Sequence, residues 1–300
     1  MSVVIPAYHS EATLPNLVER LHETLEAMGQ RYEIIIVDDG SKDKTWNVLA
    51  KLQAQHRDTL TAIQLMRNFG QHNALMCGLR PARGKLIVTM DDDLLNPPEE
   101  IPVLVEAIER GDYDLVYGKY HRKRHGRWRN LGSAVVNIFY RLVFHLTVTV
   151  TAFRVMRRQL AESIMPYDLN FTFLDGLLAW NTQRIGEAPV RHEPRQDGRS
   201  GYSLRRLVLL AMNLFANFSL LPLQAVSLLG FLFSLVGFVL GSYYLVKYFL
   251  DQLTVPGYAS TIVAILVLGG TQLLALGVIG EYLGRLHLNV NRKPQYTVRK

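Results

Sequence analysis

Apolar and polar positions fall into two regimes along this chain. Up to about residue 120, short apolar runs of strand length alternate with stretches whose apolar residues recur at helical spacing. Residues 2–8, S-V-V-I-P-A-Y, read as a strand. Leu14, Leu17, Val18, Leu21 and Leu25 then predict a helix over about 13–28. Further strands are predicted at about 32–37, 60–66, 86–90 and 115–117, separated by helices at about 44–55, 73–79 and 98–110. This β-α-β-α order predicts an α/β fold with a mostly parallel sheet covered by helices on both faces.

Beyond residue 128 the pattern changes. Val135, Val136, Ile138, Phe139, Leu142, Val143 and Phe144 form one apolar face, predicting an interfacial helix at about 130–146. A second is predicted over 204–221, opened by Arg205 and Arg206. No Asp, Glu, Lys, Arg or His occurs over 207–246 or 252–280, and each stretch exceeds the ~20 apolar residues that cross a bilayer. A two-helix membrane anchor is therefore expected within 222–283, with spans at about 223–249 and 258–282, followed by a basic tail over 284–300. Gly237 and Gly241 have the spacing that lets membrane helices approach closely. Self-association as a dimer or tetramer stays open, and the tail from 287 onward would be long enough to reach a neighbouring subunit.

Charge orients the anchor. The chain has a net charge of +7, and the basic residues flank both outer ends of the apolar pair while the 251–257 loop has none. The positive-inside rule then puts both termini and the 1–203 domain on the cytoplasmic side. The first residues show no signal-peptide pattern. The single cysteine, Cys77, excludes an intrachain disulfide, fits a reducing compartment and reads as a core residue. The basic run 119–129 lies beside the interfacial helix, so it reads as a lipid-headgroup patch and not as a nucleic-acid surface. Trp128 reads as an interfacial anchor.

Three strand ends carry the candidate chemistry. The first presents Pro6, Tyr8 and Glu11, the second Asp38 and Asp39, and the 86–90 strand Asp91, Asp92 and Asp93. Open α/β sheets bind ligands beyond the carboxyl ends of their strands. On an extended segment side chains i and i+2 point the same way, so Asp91 and Asp93 would converge on one cation. Hard carboxylate oxygens suit Mg²⁺ or Mn²⁺, ions that bridge a protein to substrate phosphates. The other carboxylates would accept hydrogen bonds from ribose hydroxyls or a base N–H. The chain has no G-x-G-x-x-G and no G-x-x-x-x-G-K-[ST], which excludes the glycine-cradled dinucleotide and P-loop classes.

V-V-I-P-A-Y at 3–8, V-D-D-G-S-K-D-K-T at 37–45, R-N-F-G-Q at 67–71 and M-D-D-D-L-L-N-P-P-E-E-I at 90–101 resemble the inverting GT-A glycosyltransferases of family 2. F-R-V-M-R-R at 153–158, R-Q-D-G-R-S-G-Y-S at 195–203 and G-E-Y-L-G-R at 280–285 resemble its polyprenyl-phosphate branch. That branch includes dolichyl-phosphate mannose synthases and undecaprenyl-phosphate glucosyl- and aminoarabinose transferases. The resemblance implies sugar transfer from a nucleotide diphosphate sugar, by preference a UDP-sugar, to a polyprenyl phosphate at a bacterial inner membrane. It implies that Asp91 and Asp93 hold the metal, that Pro6, Tyr8, Glu11 and Asp39 hold the nucleoside, and that Arg129, Ser133 and Arg195 lie near the acceptor phosphate, with Ser200 in the same acceptor segment. Arginine suits that task because its planar fork donates two bonds at once.

Three positions depart from the family pattern. Leu95 stands where a glutamine is usual, Val148 about where an aspartate is usual, and Gly201 where a phosphate-binding lysine is usual. An acceptor phosphate with a last pKa of about 6 is already largely ionised, so it needs positioning more than deprotonation. Two readings follow: an active transferase, or a non-catalytic membrane scaffold that keeps the fold and binds nucleotide. A processive polysaccharide synthase is disfavoured by the lack of a Q-x-x-R-W segment.

Overall fold

The computed structural model describes residues 1–120, 148–169, 172–191, 193, 221–250, 257–291 and 293–299. The two interfacial helices expected over about 130–146 and 204–221 fall almost wholly outside these residues. So do Arg129, Ser133, Arg195 and Ser200. The chain forms two compact units, Met1–Ser203 with Arg292–Lys300, and Leu204–Asn291.

The first unit is built on strands β1 (Ser2–Ala7), β2 (Glu33–Asp38), β3 (Leu60–Gln64), β4 (Leu86–Thr89), β5 (Leu115–Tyr120), β6 (Arg154–Arg157) and β7 (Ile185–Val190). They form one sheet in the order β3-β2-β1-β4-β6-β5-β7. The β3-β2-β1-β4 half is parallel throughout, and the inner strands β1, β2 and β4 are near-continuous apolar runs because helices cover both faces. Helix α1 (Leu14–Ala27) buries Leu14, Leu17, Val18, Leu21 and Leu25, one stripe at helical spacing. Each such side chain contributes roughly 1.5–3 kcal/mol on burial. Helices α2 (Thr45–Gln55), α3 (Gln71–Leu79) and α4 (Ile101–Arg110) complete the alternation, α4 after a short 3₁₀ turn at Pro98–Glu100. Gly78 lets α3 sit close on the sheet, since a Cβ there would lie 2.5 Å from Val4 Cγ1.

The sheet departs from the parallel expectation in its second half. β6 runs antiparallel to both β4 and β5, while β5 and β7 pair in parallel. The run R-V-M-R is only four residues long and half charged, too short for a periodic signal. It is followed by α5 (Arg158–Ile164), α6 (Leu174–Asn181) and β7.

The second unit contains α7 (Leu221–Phe249) and α8 (Tyr258–Val290). Within them Leu223–Leu240 and Val267–Val290 have mean hydropathies of 2.2 and 1.3, long and apolar enough to cross a membrane. α8 continues past the expected end at 282, up to Val290. The tail beyond it does not extend away. Residues 293–299 lie against the first unit, with Val298 bridged antiparallel to Leu65, the Met66 N–H donating to the Thr297 carbonyl (2.9 Å) and the Arg299 N–H to the Gln64 carbonyl (2.6 Å). Edge backbone groups past β3 need partners, and the tail supplies them within the same chain.

Candidate active site

Parallel pairing puts the carboxyl ends of β1, β2 and β4 on one edge of the sheet. Because β6 is antiparallel, its first residue arrives at the same edge, where Arg154 pairs with Thr89. Tyr117 of β5 pairs with Arg154 in turn. Sheet topology thus adds a buried arginine to the carboxylates that close β2 and β4.

The β2 end is rigid. Asp39 is 3 % exposed, and its two oxygens accept the Phe69 N–H (2.7 Å) and the Gly70 N–H (2.9 Å). Burial raises its pKa although these two bonds oppose the shift. Gly40 follows at φ +66°, and a Cβ there would lie 2.4 Å from the Arg67 backbone carbon. Only glycine permits so close an approach in this conformation. Asp38 is fully buried, accepting from the Ser41 N–H (3.0 Å) and from Gln64 Nε2 (3.2 Å). That corrects its expected place among the ligand-facing residues, because both of its oxygens are engaged inside the fold. Pro6 is likewise a buried residue of β1, one position before its carboxyl end.

The β1 end faces outward. Tyr8 is 45 % exposed and stacks on His9, with ring centroids 4.1 Å apart at 15°. His9 takes φ +57°, with its N–H on Ser41 Oγ (3.0 Å). Glu11 is exposed and accepts the Lys44 N–H at 2.8 Å.

Asp91, Asp92 and Asp93 do not lie on an extended segment. β4 ends at Thr89, the chain bends from Asp92, and Leu94 adopts φ +59° before Pro97 and Pro98. The i, i+2 geometry is therefore replaced by a bend in which the three carboxylates stay clustered but each has a different hydrogen-bond partner. Asp92 Oδ2 accepts the Tyr8 N–H (3.2 Å) and the Ser10 hydroxyl, tying the β4 loop to the β1 loop. Asp93 Oδ1 accepts the Leu95 N–H at 3.2 Å. Asp91 Oδ1 accepts from Gln71 Nε2, at the first turn of α3. Burial, then the charges of Asp93 and Asp92, push the Asp91 carboxyl up to about 6.

An acidic group whose ionised form is opposed by burial and by two like charges fits a divalent cation. Among the described residues no cluster of three or more His, Cys, Asp or Glu forms a metal cage. Mg²⁺-type ions do not need one, being held by one or two carboxylates and substrate phosphates. Leu95 has no ligating side chain, but its carbonyl accepts the Glu193 N–H (2.9 Å) and so ties the segment after β7 to the aspartate turn.

Reading the strand ends misses the groups behind the carboxylates. Arg154 is 1 % exposed, pairs with Asp175 of α6 and donates through Nε to Thr89 Oγ1 (2.9 Å). The Tyr117 hydroxyl also donates to Asp175 Oδ1 (2.9 Å). His72 packs edge-on against Phe173 (5.2 Å), and burial plus the Arg154 charge push its imidazole down to about 4. Gln71 was visible in the R-N-F-G-Q motif but carried no assigned role. Arg154 and Asp175 are 21 residues apart, and nothing in their local pattern joins them.

The family model for glycosyl transferase family 2 matches residues 2–164. The chain is 37 % identical over 303 residues to an uncharacterized glycosyltransferase of Synechocystis sp., covering 99 % of this chain and 94 % of that protein. It is 34 % identical over 308 residues to the undecaprenyl-phosphate 4-deoxy-4-formamido-L-arabinose transferase of Enterobacter sp., covering 100 % and 93 %. Among solved structures, glucosyl-3-phosphoglycerate synthase from Mycobacterium tuberculosis, in complex with Mn²⁺, UDP-glucose and phosphoglyceric acid, aligns with a TM-score of 0.53 at 20 % identity over 72 % of this chain and 76 % of that one. At that identity the likeness carries the GT-A fold alone. The model covers more than half of the chain and the relatives nearly all of it, so this protein is a glycosyltransferase belonging to glycosyl transferase family 2.

Proposed function

We propose that the protein transfers a sugar, with inversion, from a UDP-sugar to a polyprenyl phosphate at the cytoplasmic face of a bacterial inner membrane. The observation that carries this reading is the Asp91 cluster at the end of β4, where a bound cation would offset the burial and the Asp93 and Asp92 charges that oppose the ionised Asp91 carboxylate. The full-length similarity to an undecaprenyl-phosphate transferase supports the acceptor, and the apolar stretches of α7 and α8 support the membrane anchor.

In this reading the exposed Tyr8–His9 stack offers a face to the nucleobase, and Glu11 and Asp39 lie within the nucleoside subsite. Asp92 and Ser10 fix the β1 and β4 loops against each other, so the base and diphosphate subsites keep a constant spacing. Asp91 and Asp93 would hold a divalent cation, which would supply positive charge against the leaving diphosphate. Arg129, Ser133, Arg195 and Ser200 are assigned to the acceptor phosphate by their motif positions. The bond from the anomeric carbon to the diphosphate breaks as the lipid phosphate oxygen attacks from the opposite face. The phosphate is already an anion at neutral pH, so Val148 removes no indispensable base.

Purified protein given undecaprenyl phosphate, Mn²⁺ and a panel of UDP-sugars is expected to form a sugar-phospholipid. Nucleotide binding without lipid product from any donor would instead identify a nucleotide-binding scaffold. A second measurement bears on the metal. With its pKa raised, Asp91 stabilises the metal-free fold at low pH, and that contribution is lost as pH rises from about 4 to about 6. A bound cation reverses the preference, because it needs the ionised carboxylate. The gain in Tm on adding Mn²⁺ is therefore expected to grow between pH 5 and pH 7, reckoned from that raised value of about 6. A gain that does not change with pH contradicts the ligand assignment.

A further inference from the structure

Beside Asp91 lies a cavity of about 350 Å³ whose walls include Arg67, Gln71, Asn73, Thr172, Lys293 and Gln295. Its size falls within the ~300–1,000 Å³ usual for small-molecule sites. Two of these residues come from the tail that follows α8, some 220 residues after the α3 segment that forms the opposite wall.

Three properties give the cavity a chemical preference. First, its lining has two cations, Arg67 and Lys293, and no carboxylate. Second, it contains two buried, unpartnered acceptors. Gln295 is 2 % exposed and donates through Nε2 to Thr172 Oγ1 (2.5 Å), while its Oε1 has no partner. Asn73 is 9 % exposed and donates through Nδ2 to the Phe69 carbonyl (2.9 Å), while its Oδ1 has none. Buried acceptors without donors are uncommon and mark a place where a ligand group or water completes the set. Third, Gln71 lines the cavity and also donates to Asp91, so this side chain joins the cavity wall to the carboxylate cluster. A group that is anionic at one end and rich in hydroxyl donors at the other matches all three.

We propose that the C-terminal segment completes the donor site, with Lys293 and Arg67 binding the sugar-linked phosphate and Gln295 and Asn73 accepting from the sugar hydroxyls. This rests on the UDP-sugar reading above and extends it to Lys293 and Gln295, which lie far from the family motifs of the first 200 positions. The tail is positioned for the task by its backbone. The Leu65–Val298 bridge and the Thr297 and Gln64 carbonyl bonds hold it, and Tyr296 lies under the Arg80 guanidinium (5.8 Å). Gln295 is fixed in the wall, whereas Lys293 is exposed and free to close on a phosphate.

The test uses the full-length protein in detergent or nanodiscs, with UDP-glucose and undecaprenyl phosphate as probes. Lys293→Ala is expected to raise the donor Kd and KM about tenfold or more, the loss of one charge-assisted hydrogen bond. The acceptor KM and the Tm should stay at wild-type values. Lys293→Arg is expected to restore most of the donor affinity. Gln295→Leu removes the buried acceptor at similar volume and should raise the donor KM while sparing the Kd for UDP alone. A donor KM within twofold of wild type in Lys293→Ala, or a shift confined to the acceptor KM, overturns the assignment. If the wild-type protein binds UDP but Lys293 and Gln295 have no effect on sugar-nucleotide affinity, the tail is only a strap. Absence of UDP and UDP-sugar binding by the wild-type protein overturns both the donor reading and this one.

Discussion

Replacing Asp91 with asparagine is expected to lower turnover about a thousandfold while raising, not lowering, the Tm of the metal-free protein. On the proposed function, the loss follows from removing one of the two carboxylates that would hold the cation. An electrostatic interaction worth ~4 kcal/mol in the transition state corresponds to about three decades of rate. The gain follows from Asp91's surroundings. Its ionised form is opposed by burial and by Asp93 and Asp92, so a neutral side chain of the same shape relieves repulsion at pH 7. Asparagine can still accept from Gln71 Nε2 through its Oδ1, so the α3 contact survives. The Mn²⁺-dependent rise in Tm should disappear in the same variant. Turnover within tenfold of wild type, or a Tm that falls by several degrees, would show that Asp91 serves the fold and not the reaction. Opposite signs for stability and activity are what a strained site predicts.

The second large effect concerns the layer beneath. Arg154→Met is expected to destabilise the first unit by about 3–5 kcal/mol, because it leaves the Asp175 carboxylate buried without its partner. For a unit of this size that corresponds to a Tm lower by on the order of 10 °C. The Tyr117 hydroxyl continues to donate to Asp175, but one neutral hydrogen bond does not offset a buried charge. The double variant Arg154→Met with Asp175→Leu should recover most of the loss, since apolar pairs of similar volume often replace buried ion pairs without cost. Equal destabilisation in single and double variants would mean that the pair shapes the core by packing alone. Thermal unfolding followed by tryptophan fluorescence distinguishes these outcomes; Trp46 and Trp180 both lie in this unit.

The β1-to-α4 half was readable from the chain because its signals are local. Apolar runs of strand length and a five-residue helical stripe need no knowledge of distant partners, and the observed β1–β4 and α1–α4 match them to within a few residues. The candidate edge was readable for the same reason. Acidic residues directly after apolar runs identify strand ends, and the α/β rule places those ends together.

The same local reading failed wherever a side chain's orientation depends on the chain's path. Extended geometry at residues 91–93 was assumed from the preceding strand, whereas Leu94 turns the backbone and gives each aspartate a different partner. Asp38 and Asp39 are adjacent and chemically identical, yet Asp38 is wholly committed to Ser41 and Gln64 and Asp39 holds the Phe69–Gly70 loop at the site's edge. Composition cannot separate them, because burial is a property of the assembled sheet.

By itself, the order of residues in this chain determined the class of fold, the long apolar segments and the family, since periodicity and motif spacing are written along one dimension. Tertiary structure alone decided that an antiparallel strand delivers Arg154 to the carboxylate edge, that Asp175 meets it there, and that the final residues fold back to wall the cavity beside Gln71. Those contacts join residues 20 to 220 positions apart, and their free energy comes from burial and charge neutralisation that exist only once the sheet has closed around them.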